Sequence, residues 1–246
     1  MSATRAVEIA VQDLEGVRTA LAAGADRIEL CMGLGLGGLT PSIGLIECAV
    51  DAAREAGVED FVHVLIRPRG GDFVYDEAEL QTATRDVHRA VAAGVDGVVI
   101  GALTRDGEID LSATEDLVAA SQDADVTFHR AFDVVANRRQ ALDRLADLGV
   151  LRVLTSGGAP TCAEGVDSLT ELVTLSDNRV EIMAGGGLRV EDIPVLLDAG
   201  LDAVHLSARR SVTGGSSGPG GGIAQFDQTD AEIVRAAVAA RYAGEQ

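Results

Sequence analysis

Short β-branched runs alternate with amphipathic stretches along the chain at a repeat of about 30 residues, the length of one strand–helix unit. Eight of these runs read as strands: 6–11 (AVEIAV), 26–31 (DRIELC), 61–67 (FVHVLIR), 97–102 (GVVIGA), 125–131 (DVTFHRA), 151–156 (LRVLTS), 179–184 (RVEIMA) and 203–208 (AVHLSA). The stretches between them end on Ala-Gly or Leu-Gly followed by a β-branched or acidic residue: AGAD at 23–26, AGVE at 56–59, AGVD at 93–96, LGVL at 148–151 and AGLD at 199–202. Glycine there adopts the left-handed conformation that closes a helix before the next strand. Eight units predict an α/β fold closed as a TIM (β/α)8 barrel, one domain over residues 1–246. An open doubly wound sheet would carry a nucleotide fingerprint after its first strand, and none follows Val11. Segment 213–222 (TGGSSGPGGG) predicts a flexible glycine-rich loop, with a last helix at about 228–242, because glycine and proline disfavour helix and strand interiors.

Strands buried on both faces should be continuous apolar runs, so the polar residues inside them carry the information. Glu29 shares a strand face with Cys31, His63 with Leu65 and Arg67, Thr127 with His129, Glu8 with Ala10, Glu181 with Met183, and His205 with Ser207. The period of two lets Glu8, Glu29, Arg67, His129 and His205 face inward together. Burying such ions is costly, and charges at the C-terminal ends of barrel strands are usually functional. A polar layer that only neutralises itself is the alternative.

Two glycine-rich turns, TSGGAPT at 155–161 and AGGGLR at 184–189, follow strands 6 and 7. Ser156, Gly157, Gly158, Gly186 and Gly187 can present free backbone N–H groups to a phosphate or carboxylate, with Ser207 and Arg209 completing the cradle. Glycine triplets also occur as plain tight turns. The run IRPRGGDF (66–73) sets Arg67 and Arg69 about a proline, with Asp72 able to pair with one guanidinium. FHRAFD (128–133) offers His129, Arg130 and Asp133 within one turn of chain, enough for a proton-transfer residue oriented by a carboxylate. A structural His–Asp pair would read the same way.

Composition narrows the chemistry. The formal charge of −19 opposes nucleic acid and anionic membranes as partners. No run approaches ~20 apolar residues, and the N-terminus lacks an export signal, so a cytoplasmic protein is expected. All twenty basic residues are Arg, so Schiff-base chemistry on a lysine amine is excluded. Three widely spaced cysteines form neither a disulfide framework nor a zinc pattern.

The segments DRIELC (26–31), GGLTPS (37–42), IRPRGGDF (66–73), VIGAL (99–103), VTFHRAFD (126–133), RVLTSGG (152–158), EIMAGGG (181–187) and VHLSA (204–208) resemble the CutC family, named for copper homeostasis. They do so in order and at family spacing, over about residues 6–210. The resemblance implies a TIM barrel, a cytosolic location, copper(I) binding and often a homodimer. It carries Glu8, Glu29, Cys31, Arg67, Arg69, His129, Arg130, Asp133 and His205 over as rim residues. Copper(I) would then rest on Cys31 with His129 and His205. This chain has Ala10 where many relatives place a cysteine, and Leu206 where they place a serine; losing a sulfur weakens a soft-metal site. Two functions follow: a copper(I)-binding homeostasis protein, or an acid–base enzyme on a small phosphorylated or carboxylated metabolite. In the second, Glu29 or His129 shuttles a proton, Glu8 belongs to the same site, and Arg67 and Arg130 stabilise an oxyanion.

Overall fold

Each apolar run ends where its polar neighbours begin, and a computed structural model describing residues 5–215 and 225–242 shows what those ends do. The strands are β1 Ala6–Val11, β2 Arg27–Leu30, β3 Val62–Leu65, β4 Gly97–Ile100, β5 Asp125–Phe128, β6 Arg152–Thr155, β7 Glu181–Gly185 and β8 Ala203–Leu206. All eight pair in parallel, each with the next and β8 with β1, so the sheet closes into a barrel. Helices α1 Leu14–Ala23, α2 Ile43–Ala56, α3 Glu77–Ala93, α4 Leu111–Ser121, α5 Arg138–Asp147, α6 Val166–Ser176 and α7 Ile193–Asp198 alternate with the strands, and α8 Ala231–Ala240 follows. The TIM barrel expected from the eight-fold pattern is the observed fold.

The Gly-x-Asp helix ends have a second use beyond stopping a helix. Gly24 and Gly94 cap α1 and α3 at φ 80° and 89°, in the left-handed region. Two residues on, the aspartate reaches sideways to the start of the preceding strand. Asp26 accepts the N–H of Val7 at 2.8 Å, Asp96 those of Phe61 and Val62 at 3.0 and 2.8 Å, and Asp202 that of Ile182 at 2.8 Å. Strand-initiating N–H groups at the barrel floor, which the ladder leaves open, are thereby satisfied.

The core has two parts. One continuous apolar cluster, including Val7, Ile9, Ile28, Val62, Val98, Phe128 and Ile182, fills the space between barrel and helices. Among the described residues, two small apolar groups lie inside the barrel, Cys31 with Leu65 and Val99, and Leu154 with Met183 and Ala203. Polar and ionic side chains share the lumen with them: Glu8, Arg27, Glu29, His63 and Arg152 are all buried there.

After β8 the chain departs from expectation. Residues Arg209–Thr213 and Gln225–Thr229 form an antiparallel hairpin, β9 and β10, tied by Arg209 to Asp227 at 2.7 Å. Thr213 therefore ends a strand instead of opening a loop, and residues 216–222 of the expected loop lie outside the described residues. Cross-strand pairing and an ion pair outweigh the local glycine signal at its edges.

Replacing Asp96 with alanine should cost about 1–3 kcal/mol, because two buried-edge N–H groups lose their acceptor. The exposed Asp51→Ala change on α2 removes only an i,i+3 surface pair and should stay within about 0.5 kcal/mol. Urea denaturation midpoints of the two variants check this, and equal effects would deny the staple its role.

Candidate functional site

Strand parity gathers Glu8, Glu29 and His205 at the β1–β2–β8 side of the mouth, as expected. Glu8 and His205 are register partners on adjacent strands, and Ala10 stands opposite Glu29. The small Ala10 leaves room between the two carboxylates. Glu8 Oε1 takes a hydrogen bond from His205 Nδ1 at 2.7 Å, its other oxygen binds the Arg27 guanidinium, and His205 Nε2 stands 3.9 Å from Glu29 Oε2. Arg27 in turn touches Met183 Sδ at 3.4 Å. Glu8 has no exposed side-chain surface, whereas Glu29 and His205 retain 9% and 12%.

Electrostatics separates the two carboxylates. Burial pushes Glu8 up, but the charge of Arg27 and the hydrogen bond from His205 more than reverse this, leaving it well below the usual carboxylate range. Glu29 has no such cation in contact. Burial raises it, His205 offsets part of the rise, Glu8 adds to it, and it stands at about 7. Burial pulls His205 down, and Glu29 and Glu8 together raise it above its ordinary value. One carboxylate is held as an anion; the other is raised and stands beside an imidazole that is raised as well.

The β3–β5 side differs. Arg67, 6% exposed, donates to the carbonyls of Leu36 and Gly38 at 3.0 Å each and of Gly71 at 2.8 Å, clamping two loops, and lies over the Phe73 ring at 5.1 Å. Two of its three nitrogens are thus not free for a substrate oxyanion. His129 follows β5, its ring 4.8 Å from Phe73 and seated over Gly101, where a Cβ would come within 2.3 Å. Its Nδ1 accepts the N–H of Ala131 at 3.1 Å. Burial, reinforced by Arg67, depresses His129 to about 3, so it is a neutral imidazole.

Asp133 does not orient His129, as the FHRAFD spacing allowed. Its Oδ1 accepts the Thr155 hydroxyl at 2.5 Å and the N–H groups of Ser156 and Gly158 at 2.9 and 3.1 Å, while Oδ2 takes Arg130 at 2.8 Å. The first glycine turn is filled by the chain's own carboxylate, and Gly157 N–H is taken by Thr155 Oγ1 at 2.9 Å. Arg130 also reaches Ser156 Oγ at 3.3 Å and packs on Gly186, where a Cβ would meet its guanidinium at 2.6 Å. Gly187 packs in the same way on Thr161. Arg69 is held by Glu79, by Asp72 at 3.0 Å and by the Val74 carbonyl at 2.8 Å, a latch of the loop after β3. Ser207 is half-buried just beyond β8, and Arg209 belongs to the hairpin.

Sequence reading passed over Arg27 and Arg152. Arg152 lies at the opposite end of the lumen, bonded to Glu181 at 2.7 Å and Thr127 at 3.1 Å. Arg27 shares parity with Glu29 and Cys31, and that was the available signal. His63, on the same strand face as Leu65 and Arg67, is buried over Gly97, where a Cβ would lie 2.3 Å from its Nδ1.

The expected copper(I) ligands do not gather. Cys31 is fully buried with Leu65 and Val99, its thiol directed at the Val11 carbonyl at 3.5 Å. Burial and the Glu29 charge push that thiol far up, against forming the thiolate a soft metal needs. His205 faces carboxylates from both nitrogens, and His129 belongs to the far side of the mouth. Among the described residues no three His, Cys, Asp or Glu side chains form a metal-binding group. The residues present do not fit copper(I).

Fold and site define a TIM-barrel protein whose lumen holds a buried Arg–Glu–His–Glu chain opening at the C-terminal mouth. The CutC family model matches residues 5–210, and the chain belongs to the CutC family. It is 42% identical over 204 residues to a family protein CutC of Pasteurella multocida, covering 82% of each chain. It is 44% identical over 193 residues to one of Agrobacterium fabrum, covering 78% of this chain and 74% of the relative. A crystal structure of CutC from Streptococcus agalactiae, described as a candidate copper homeostasis protein, superposes with a TM-score of 0.79 at 35% identity, over 83% of this chain and 99% of that one.

The raised Glu29 makes a signed prediction. A folded value above the ordinary 4.5 means its stabilising contribution is complete below pH 4.5 and is lost as pH rises through about 7. Stability of the wild type relative to Glu29→Gln should therefore fall by up to about 3 kcal/mol across that window. Denaturant titrations at the two ends measure it, and a flat difference would remove the case for a raised Glu29.

Proposed function

We propose that this protein is an acid–base enzyme acting on a small carboxylated or phosphorylated metabolite at the barrel mouth. The observation that carries the reading is the Glu29–His205 pair, 3.9 Å apart and with a little exposed surface on each side chain, backed by a buried Glu8–Arg27 ion pair. Glu29 as carboxylate accepts a proton from the substrate, and the protonated His205 is the nearby donor that can return one. Glu8 fixes His205 through Nδ1, so that Nε2 is the nitrogen presented towards Glu29. Arg130, with 43% of its side chain exposed, is the cation of the β5–β6 side available to an anionic tail.

Copper(I) carriage by Cys31, His129 and His205 is the competing reading, and the burial of Cys31 opposes it. The family resemblance supports a cytoplasmic homodimer. The formal charge of −19 supports neither nucleic acid nor an anionic membrane as partner, and no described helix is long and apolar enough to cross a membrane.

A thermal-shift panel of sugar phosphates and hydroxy acids should reveal stabilising compounds. Proton NMR in D2O should then show protein-dependent deuterium incorporation into them. Glu29→Gln should slow it by roughly 10²–10⁴-fold. Incorporation unchanged in that variant, or no compound that stabilises the fold, would refute the enzyme reading. In parallel, copper(I) titration under reducing conditions is expected to show no Cys31-dependent stoichiometric binding; one equivalent lost in Cys31→Ala would restore the carrier.

A further inference from the structure

Arg27, Glu8 and His205 form one row on three adjacent strands. Glu8 on β1 is the register partner of Arg27 on β2 and of His205 on β8, and its two oxygens divide between them. Arg27 Nε donates to Oε2, and His205 Nδ1 stands 2.7 Å from Oε1. The guanidinium is held at its far end too, where Nη2 donates to Met183 Sδ on β7 at 3.4 Å. Met183 comes two residues before Gly185, the register partner of His205, so Arg27 leans to the floor side of the Glu8–His205 contact. Glu29, two residues after Arg27 on the same strand, lies on the mouth side. A thioether is a weak acceptor without charge, so the whole of the arginine's charge is left for Glu8.

Glu8 thus stands between a group that keeps its proton and a group that exchanges one. Arginine stays protonated in proteins, and a carboxylate held as an anion can only accept. With Glu8 ionised, His205 Nδ1 therefore carries a hydrogen, and the lone pair of the neutral ring is on Nε2, 3.9 Å from Glu29 Oε2. A protonated Glu8 would reverse this. Its hydroxyl would donate to Nδ1, the neutral ring would carry its hydrogen on Nε2, and no basic nitrogen would face Glu29. The other neighbours do not make this choice: Glu29 faces Nε2, the β7 register partner is Gly185, and His63 on β3 is kept neutral by burial.

We propose that Arg27 is a positioning residue of the Glu29–His205 pair: by holding Glu8 as an anion from the floor side, it selects the Nδ1–H form of His205 and makes Nε2 the nitrogen that takes up and releases the proton. The inference rests on the acid–base reading for its purpose, whereas the tautomer is a property of the free protein.

The test uses the full chain labelled with ¹⁵N-histidine, the His205 ring nitrogens being assigned by their loss in His205→Asn. Titrated upward in pH, the wild type should lose the His205 proton from Nε2 and keep N–H character at Nδ1. Glu8→Gln separates the role of Arg27 from that of Glu8 alone, because an amide can turn either its oxygen or its nitrogen to the imidazole. With Arg27 in place the amide oxygen is drawn to the guanidinium and the NH2 faces Nδ1, so the neutral ring should switch to Nε2–H. Arg27→Met leaves an unbranched apolar chain beside Met183 and should switch the ring as well, through a protonated Glu8. In compounds that exchange deuterium, Arg27→Met should slow the incorporation by roughly tenfold or more. Nε2–H in the neutral wild-type ring, a ring doubly protonated until the protein unfolds, Nδ1–H retained in folded Glu8→Gln or Arg27→Met, or incorporation unchanged in Arg27→Met would overturn the assignment. The wild type and Glu8→Gln carry the test if Arg27→Met does not fold. The Nδ1–H tautomer without incorporation in any stabilising compound would refute the enzyme reading alone; incorporation that depends on Glu29 together with the Nε2–H tautomer would refute the role of Arg27 alone.

Discussion

A closed eight-stranded barrel must fill its own lumen, and here it does so around an ionised carboxylate with no access to water. Glu8 is viable only because Arg27 binds one oxygen and His205 the other. That constraint propagates. Holding His205 Nδ1 orients its ring so that Nε2 stands beside Glu29, and the fixed negative charge of Glu8 discourages ionisation of Glu29 above it. The two small apolar groups that remain inside the barrel are what the ion chain leaves over; hydrophobic stabilisation comes mainly from the outer cluster beneath the helices.

Much of the architecture was legible because the strand runs recur eight times and five of the helices between them end on glycine, two signals that reinforce one another. The same alternation placed Glu8, Glu29 and His205 together. It passed over Arg27 and Arg152, although their parity with Glu29 and Leu154 turns them into the lumen. Partners chosen by three-dimensional proximity were illegible. Nothing in the 22–25-residue separation of Asp133 from the β6 turn says that the turn's N–H groups already have their anion. The hairpin after β8 was hidden for another reason: the glycines between 214 and 222 dominate the local pattern, while the pairing of Arg209 with Asp227 is a long-range property.

The copper association in the description of the Streptococcus agalactiae protein meets, in this chain, a lumen lined for hard chemistry. Copper(I) prefers soft ligands that can come together around it, whereas this mouth offers carboxylates and arginines, and its one rim thiol is walled in by Leu65 and Val99 beside a carboxylate. Placing a thiolate there would add a further negative charge next to Glu29 and Glu8, the reverse of what the neighbourhood can stabilise. Ala10 deepens the conflict, since the position opposite Glu29 holds a methyl group where a second sulfur would be needed.

Two histidines of one mouth are shifted in opposite directions by what surrounds them. His205, between two carboxylates, is raised; His129, against Arg67 and two phenylalanine rings, is lowered to about 3. Neutralising a lumen would require neither, since an apolar residue could stand over Gly101 at no electrostatic cost. A neutral imidazole is suited to polarise an oxygen without taking up a proton, and an imidazole whose charged form is favoured, beside a carboxylate of raised pKa, is suited to move one. Environments that push titratable groups apart in this way belong to catalysis more readily than to packing, because each separation costs stability that a structural core has no reason to spend.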